Sequence, residues 1–139
     1  MSQIAAAAPN ADTRIDPQVR SFLAAINKET SSFWELSQSK PQQILTDLQK
    51  HSAVDMSGVT ATEQTISQHG RSVKLHLMKP EQVSGKPGVL LYIHGGAWIA
   101  GNFENHQRLL RDLVVGSGQI GVFVDYTPLP EARFPTQLE

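Results

Sequence analysis

No cysteine occurs among the 139 residues, which excludes a disulfide framework and any thiolate-bound metal site. Nor is there an excess of either charge. Twelve Lys and Arg stand against thirteen Asp and Glu, a net of -1, so the chain carries no electrostatic footprint for nucleic acid or an anionic membrane. The longest apolar runs are five or six residues, far short of the ~20 that a membrane span needs. Residues 1–15 hold an Ala run but neither the basic region nor the apolar core of a signal peptide. The 40% of hydrophobic residues and so small a net charge argue against intrinsic disorder as well. A soluble, cytoplasmic chain of single-domain length is expected.

Three zones follow along the chain. Residues 1–15 are small, polar and without periodicity, a flexible lead. Residues 16–58 read as a helical segment. Asp16 suits an N-cap and Pro17 a first helical position, and Val19, Phe22, Leu23 and Ile26 then form one apolar stripe. A second helix is expected from Pro41, with Ile44, Leu45 and Leu48 on one face. From residue 59 the pattern becomes strand-like. A hairpin of 59–67 and 71–79 is expected, with Val73, Leu75 and Leu77 facing one way and a wet face formed by Lys74, His76 and Met78. Residues 88–93 are continuously apolar, as in a strand covered on both faces. Residues 103–115 have helical spacing and end at Gly116, placed for a left-handed cap, and strand 120–126 follows. The result is an α/β chain containing a right-handed βαβ unit.

His94-Gly95-Gly96-Ala97-Trp98 directly follows the buried strand. A Gly pair at that point lets the backbone turn sharply and present successive N–H groups to one point in space. Such donors stabilise the oxyanion of an acyl-transfer intermediate, although Gly-Gly is also common in plain tight turns. Gly116-Ser117-Gly118-Gln119-Ile120-Gly121 spells a dinucleotide fingerprint, but it leaves a helix and enters a strand, the reverse of what phosphate binding requires. The five histidines show no metal spacing. His76 reads as a polar-face residue, His106 as a satisfied core histidine, and Asp125 as either a turn cap or a site residue. No serine lies in G-x-S-x-G and no histidine follows His106, so the chain holds no complete catalytic triad.

HGGAW after an apolar strand, followed by Val124-Asp125-Tyr126-Thr127-Pro128-Leu129-Pro130-Glu131-Ala132-Arg133-Phe134-Pro135, closely resembles the hormone-sensitive-lipase-like branch of the α/β-hydrolase fold family. Members of that branch show HGGG and then DYxLAPExxFP. The opening Asp16-Pro17-Gln18-Val19-Arg20 is similar to that branch's N-terminal cap helices. The resemblance implies an α/β fold with residues 16–58 as a cap segment. Residues 59–139 would be the N-terminal part of the hydrolase domain, truncated before the nucleophile elbow. It implies a carboxylesterase or lipase-like enzyme acting on small-molecule esters, with neither cofactor nor metal, and inactive as these 139 residues alone. Gly95, Gly96 and Ala97 would form the oxyanion hole, Gly96 and Ala97 offering N–H groups and Gly95 shaping the turn. His94 and Trp98 would support the loop. Ala97 stands where the family has a third Gly, which keeps the N–H but opposes a positive φ. The family order would place strand 120–126 between 71–79 and 88–93. Two alternatives stay open: a non-catalytic binding module derived from such a hydrolase, and a kynurenine-formamidase-like hydrolase, against which DPQVR and PEARFP argue.

Overall fold

The computed structural model describes residues 12–29, 43, 46–47, 49 and 53–139. Of the second expected helix, Gln43, Thr46, Asp47 and Gln49 are described and helical, whereas its apolar face of Ile44, Leu45 and Leu48 lies outside the described residues. The chain divides into two compact units, Met1–Ser39 and Lys40–Glu139. In the first, helix α1 spans Pro17–Glu29. Its start is as the sequence suggests: the Asp16 carboxylate accepts from the Gln18 N–H at 2.8 Å, satisfying one of the donors a helix leaves unpaired.

The second unit is a four-stranded sheet with one helix across it. Strands β1 (Val59–Gln68) and β2 (Arg71–Pro80) form the antiparallel hairpin, followed by β3 (Val89–Ile93), helix α2 (Phe103–Ser117) and β4 (Ile120–Asp125). The sheet order is β1-β2-β4-β3, so β4 inserts between the hairpin and β3 as the family order implied. It runs parallel to β3 and antiparallel to β2. This is a partial α/β-hydrolase sheet that contains the parallel strand pair and its helical crossover.

Helix α2 starts at Asn102, whose side chain accepts from the Asn105 N–H at 2.9 Å. It runs past Gly116, which was expected to cap it. The cap is Gly118, left-handed at φ 68°, and its N–H donates to the Val114 carbonyl. The helix thus ends two residues later than expected, at Ser117, whose hydroxyl donates to the Leu113 carbonyl at 2.6 Å. Gly121 has a different task. A Cβ there would lie 2.7 Å from Val114 and 2.8 Å from Leu110, so its bare Cα lets α2 settle onto β4. Capping and close packing thus account for Gly118 and Gly121, two of the three glycines that spell the dinucleotide pattern.

The core is Val59, Met78, Leu110, Val114 and Phe123, flanked by Met56, Leu90, Tyr92 and Phe103. It corrects the expected facing of β2. His76 and Met78 are buried under α2, while Val73, Leu75 and Leu77 are half-buried on the opposite face. Strand alternation sorts residues into two classes but does not say which class meets the helix. Strand β3 is also not covered on both sides. Among the described residues it is the sheet's edge, and Val89, Leu91 and Ile93 are 65%, 61% and 64% exposed.

Candidate functional site

The parallel pair β3–β4 brings its two carboxyl ends side by side, and the 94–98 loop leaves β3 there. In open α/β sheets ligand chemistry gathers at such ends. Backbone conformation in the loop is unusual. Gly96, Ala97 and Trp98 have φ of 130°, 54° and 63°. Ala97 therefore takes the positive φ that its Cβ was expected to oppose. A left-handed non-Gly residue costs about 1–2 kcal/mol, and such strain persists only where the surroundings impose it. The turn closes on itself: the Ile99 and Ala100 N–H groups both donate to the Gly96 carbonyl at 3.0 Å. The Gly96 and Ala97 N–H groups donate to nothing among the described residues.

Strain at Ala97 predicts a gain on relaxing it. Glycine would remove about 1–2 kcal/mol of strain and return about 0.4–1 kcal/mol through its freer unfolded state. Ala97→Gly should therefore raise Tm by a few degrees in thermal melts. A lowered Tm would show that the left-handed turn costs the chain nothing.

His94 anchors the loop. It is buried, with its imidazole stacked between Tyr126 (4.2 Å between centroids) and Phe123 (5.0 Å). Its Nδ1 lies 2.7 Å from the Gly95 carbonyl oxygen. A carbonyl only accepts, so Nδ1 carries the proton and Nε2 keeps a lone pair, buried and unpartnered among the described residues. A charged imidazole would need an acceptor at Nε2. Burial accordingly holds the His94 pKa below its usual 6.5, with His106 pushing the same way, while the Gly95 carbonyl and Asp125 pull upward.

This shift has a definite sign. Above pH 6.5 the imidazole is neutral both folded and unfolded. Below it the unfolded chain binds the proton first, so stability falls with pH until the folded imidazole also titrates. Urea midpoints should therefore drop between about pH 7 and about pH 5, and drop less in His94→Gln. Equal slopes in the two proteins would show that burial does not oppose the charge at this imidazole.

Two residues given modest roles in the sequence, His76 and Tyr126, prove central. His76 is 7% exposed and stacks on Phe103 at 4.0 Å, with its Nε2 3.1 Å from the Asp125 carboxylate and Nδ1 3.5 Å from Glu63. It ties β1, β2 and β4 together and gives Asp125 a partner other than the turn. Tyr126, one residue past β4, donates its hydroxyl to the His94 carbonyl at 2.9 Å. The sequence pattern flagged Tyr126 only as part of a motif, since its partner lies 32 residues upstream. His106 is half-buried and satisfied, as expected, with Nδ1 2.9 Å from the Asn102 carbonyl. Among the described residues no three His, Asp or Glu side chains are grouped to hold a metal ion, and no helix is long and apolar enough to cross a membrane.

A partial hydrolase sheet with an N–H-bearing loop after β3 defines a class, that of the α/β-hydrolase fold. Residues 90–139 match the family described as the alpha/beta hydrolase fold. A protein of Acanthamoeba polyphaga mimivirus described as an alpha/beta hydrolase is 27% identical over 128 residues, covering 89% of this chain and 35% of that protein. The crystal structure of a thermostable esterase from Pseudomonas putida superposes with a TM-score of 0.78 at 41% identity, over 89% of this chain and 39% of that one. An arylesterase superposes with a TM-score of 0.71 at 28% identity, over 89% and 40%. The chain is thus related to the α/β-hydrolase-fold esterases and spans about two-fifths or less of the length of these relatives.

Proposed function

We propose that the 94–98 loop supplies the oxyanion hole of a serine carboxylic-ester hydrolase of the hormone-sensitive-lipase-like branch, a cytoplasmic enzyme acting on small-molecule esters without a cofactor. The observation that carries this reading is the left-handed run at Gly96, Ala97 and Trp98, which leaves the Gly96 and Ala97 N–H groups without partners at the carboxyl end of β3. When a nucleophile adds to an ester carbonyl, its oxygen gains negative charge. Donors held in place beforehand stabilise that charge without reorganising, and each is worth about 3 kcal/mol of barrier. Gly96 rather than Gly95 makes the turn possible, since only Gly96 has a positive φ and no room for a Cβ, while His94 braces its start and Trp98 its end. The serine, its base and its acid are assigned to residues outside these 139, since none of the serines present lies in G-x-S-x-G.

Reading the coding frame past Glu139 tests the assignment. An in-frame G-x-S-x-G is expected, and the extended product should hydrolyse p-nitrophenyl butyrate until a serine-directed phosphonate stops it. The 139-residue chain alone should not exceed the buffer rate. Phosphonate-sensitive turnover by that chain would mean that the nucleophile is already present. An extended product without turnover would favour a non-catalytic binding module.

A further inference from the structure

The left-handed turn is gripped from outside at both ends by the segment that follows β4. At its start the Tyr126 hydroxyl donates to the His94 carbonyl oxygen at 2.9 Å, and at its end the Leu129 N–H donates to the Trp98 carbonyl at 2.7 Å. Tyr126 does more than make one bond. Its ring lies 4.2 Å from the His94 imidazole and within 8° of parallel, and it meets the Trp98 ring edge-on at 5.2 Å. One side chain thus touches both ends of the loop. Tyr126 is only 8% exposed, and the His94 carbonyl has no other hydrogen-bond donor among the described residues. Burial also raises the phenol pKa above its usual value, so the hydroxyl remains a donor throughout the neutral range.

We propose that Tyr126 is a positioning residue for the 94–98 loop, its hydroxyl fixing the His94 carbonyl and its ring fixing His94 and Trp98, so that the left-handed turn stays closed and its free N–H groups stay in place. The consequence for rate rests on the oxyanion assignment, whereas the consequence for loop closure does not. A tether acting only on the loop loosens the loop alone, and a residue that merely adds to global stability loosens everything together.

Hydrogen exchange separates these two cases in the 139-residue chain. The Ile99 and Ala100 amides close the turn on the Gly96 carbonyl, so their protection reports its closure. In Tyr126→Phe, which keeps the ring and removes the hydroxyl, their exchange should accelerate about ten-fold. The Leu110, Val114 and Phe123 amides should not change. Unchanged Ile99 and Ala100, or equal acceleration everywhere, would overturn the proposal. Incorporating a fluorinated tyrosine, whose phenol titrates at lower pH, tests the same tether if Tyr126→Phe fails to fold. Protection at Ile99 and Ala100 should then fall as the phenol loses its proton, and constant protection would overturn the proposal. In an active extended product, Tyr126→Phe should lower kcat about ten-fold with KM within about two-fold. A parent without hydrolysis would remove the oxyanion assignment and leave the exchange result to judge the tether.

Discussion

Replacing Phe123 by alanine should bring the sheet-and-helix unit close to unfolding. Phe123 is fully buried in the centre of β4, and its ring is surrounded by other rings: His94 at 5.0 Å, Phe103 at 5.5 Å, Tyr92 at 5.8 Å, His76 at 5.9 Å and His106 at 6.0 Å. Truncating a buried Phe loses its transfer free energy and leaves a cavity, together about 3–5 kcal/mol. A whole domain is stable by only about 5–15 kcal/mol. The void cannot collapse easily either, because Tyr92, His94 and Phe103 are fixed on β3, on its loop and on the first turn of α2. Phe123→Ala should therefore lower the urea midpoint steeply, while Leu109→Ala, on the exposed side of α2, should shift stability by no more than about 0.5 kcal/mol. Similar losses at the two sites would show that the core is not centred on Phe123.

Much of this architecture was legible in the chain because its signals are local. The apolar run at 88–93, the helical spacing after residue 103 and the apolar 120–126 each define an element without help from their neighbours. Asp16-Pro17 announces a helix start by the bonding its two residues allow. What stayed hidden depends on partners distant in sequence. His76 looked like a surface residue because Glu63 and Asp125 arrive from β1 and β4 to share its two ring nitrogens. The sequence offers two glycines, Gly116 and Gly118, either able to take the left-handed cap, and the helix closes on the second. The positive φ at Ala97 could not be read from an alanine at all. It is imposed by the closed turn beneath it and by Tyr126 and Leu129 gripping the two ends. The motif was visible in the sequence, and its geometry was supplied by contacts that the sequence does not announce.

The adjacent glycines of the loop should behave as opposites. At Gly95 a Cβ would meet nothing within 4 Å, and its φ is not positive. Gly95→Ala should thus fold with a Tm within a few degrees of the parent. At Gly96 the backbone has a φ of 130°, and a Cβ would sit 1.8 Å from the Ala100 carbonyl oxygen and 2.6 Å from its carbon. Those are backbone atoms, which cannot rotate aside as a side chain can. Ala100 cannot retreat either without giving up the bond by which its own N–H closes the turn on Gly96. Gly96→Val must therefore open the turn, and the left-handed Ala97 and Trp98 lose what holds them in place. Amide resonances from His94 to Gly101 should shift widely in Gly96→Val while those of β1 and β2 barely move, and Tm should fall well below that of Gly95→Ala. In an active extended product the same pair should separate in rate. Loss of an oxyanion donor costs roughly a hundred- to a thousand-fold in kcat, and with both donors displaced Gly96→Val should lose at least that much, KM changing far less because the donors act mainly in the transition state. If Gly96→Val and Gly95→Ala retain the same kcat, the N–H groups of this loop are not the ones that meet the oxyanion.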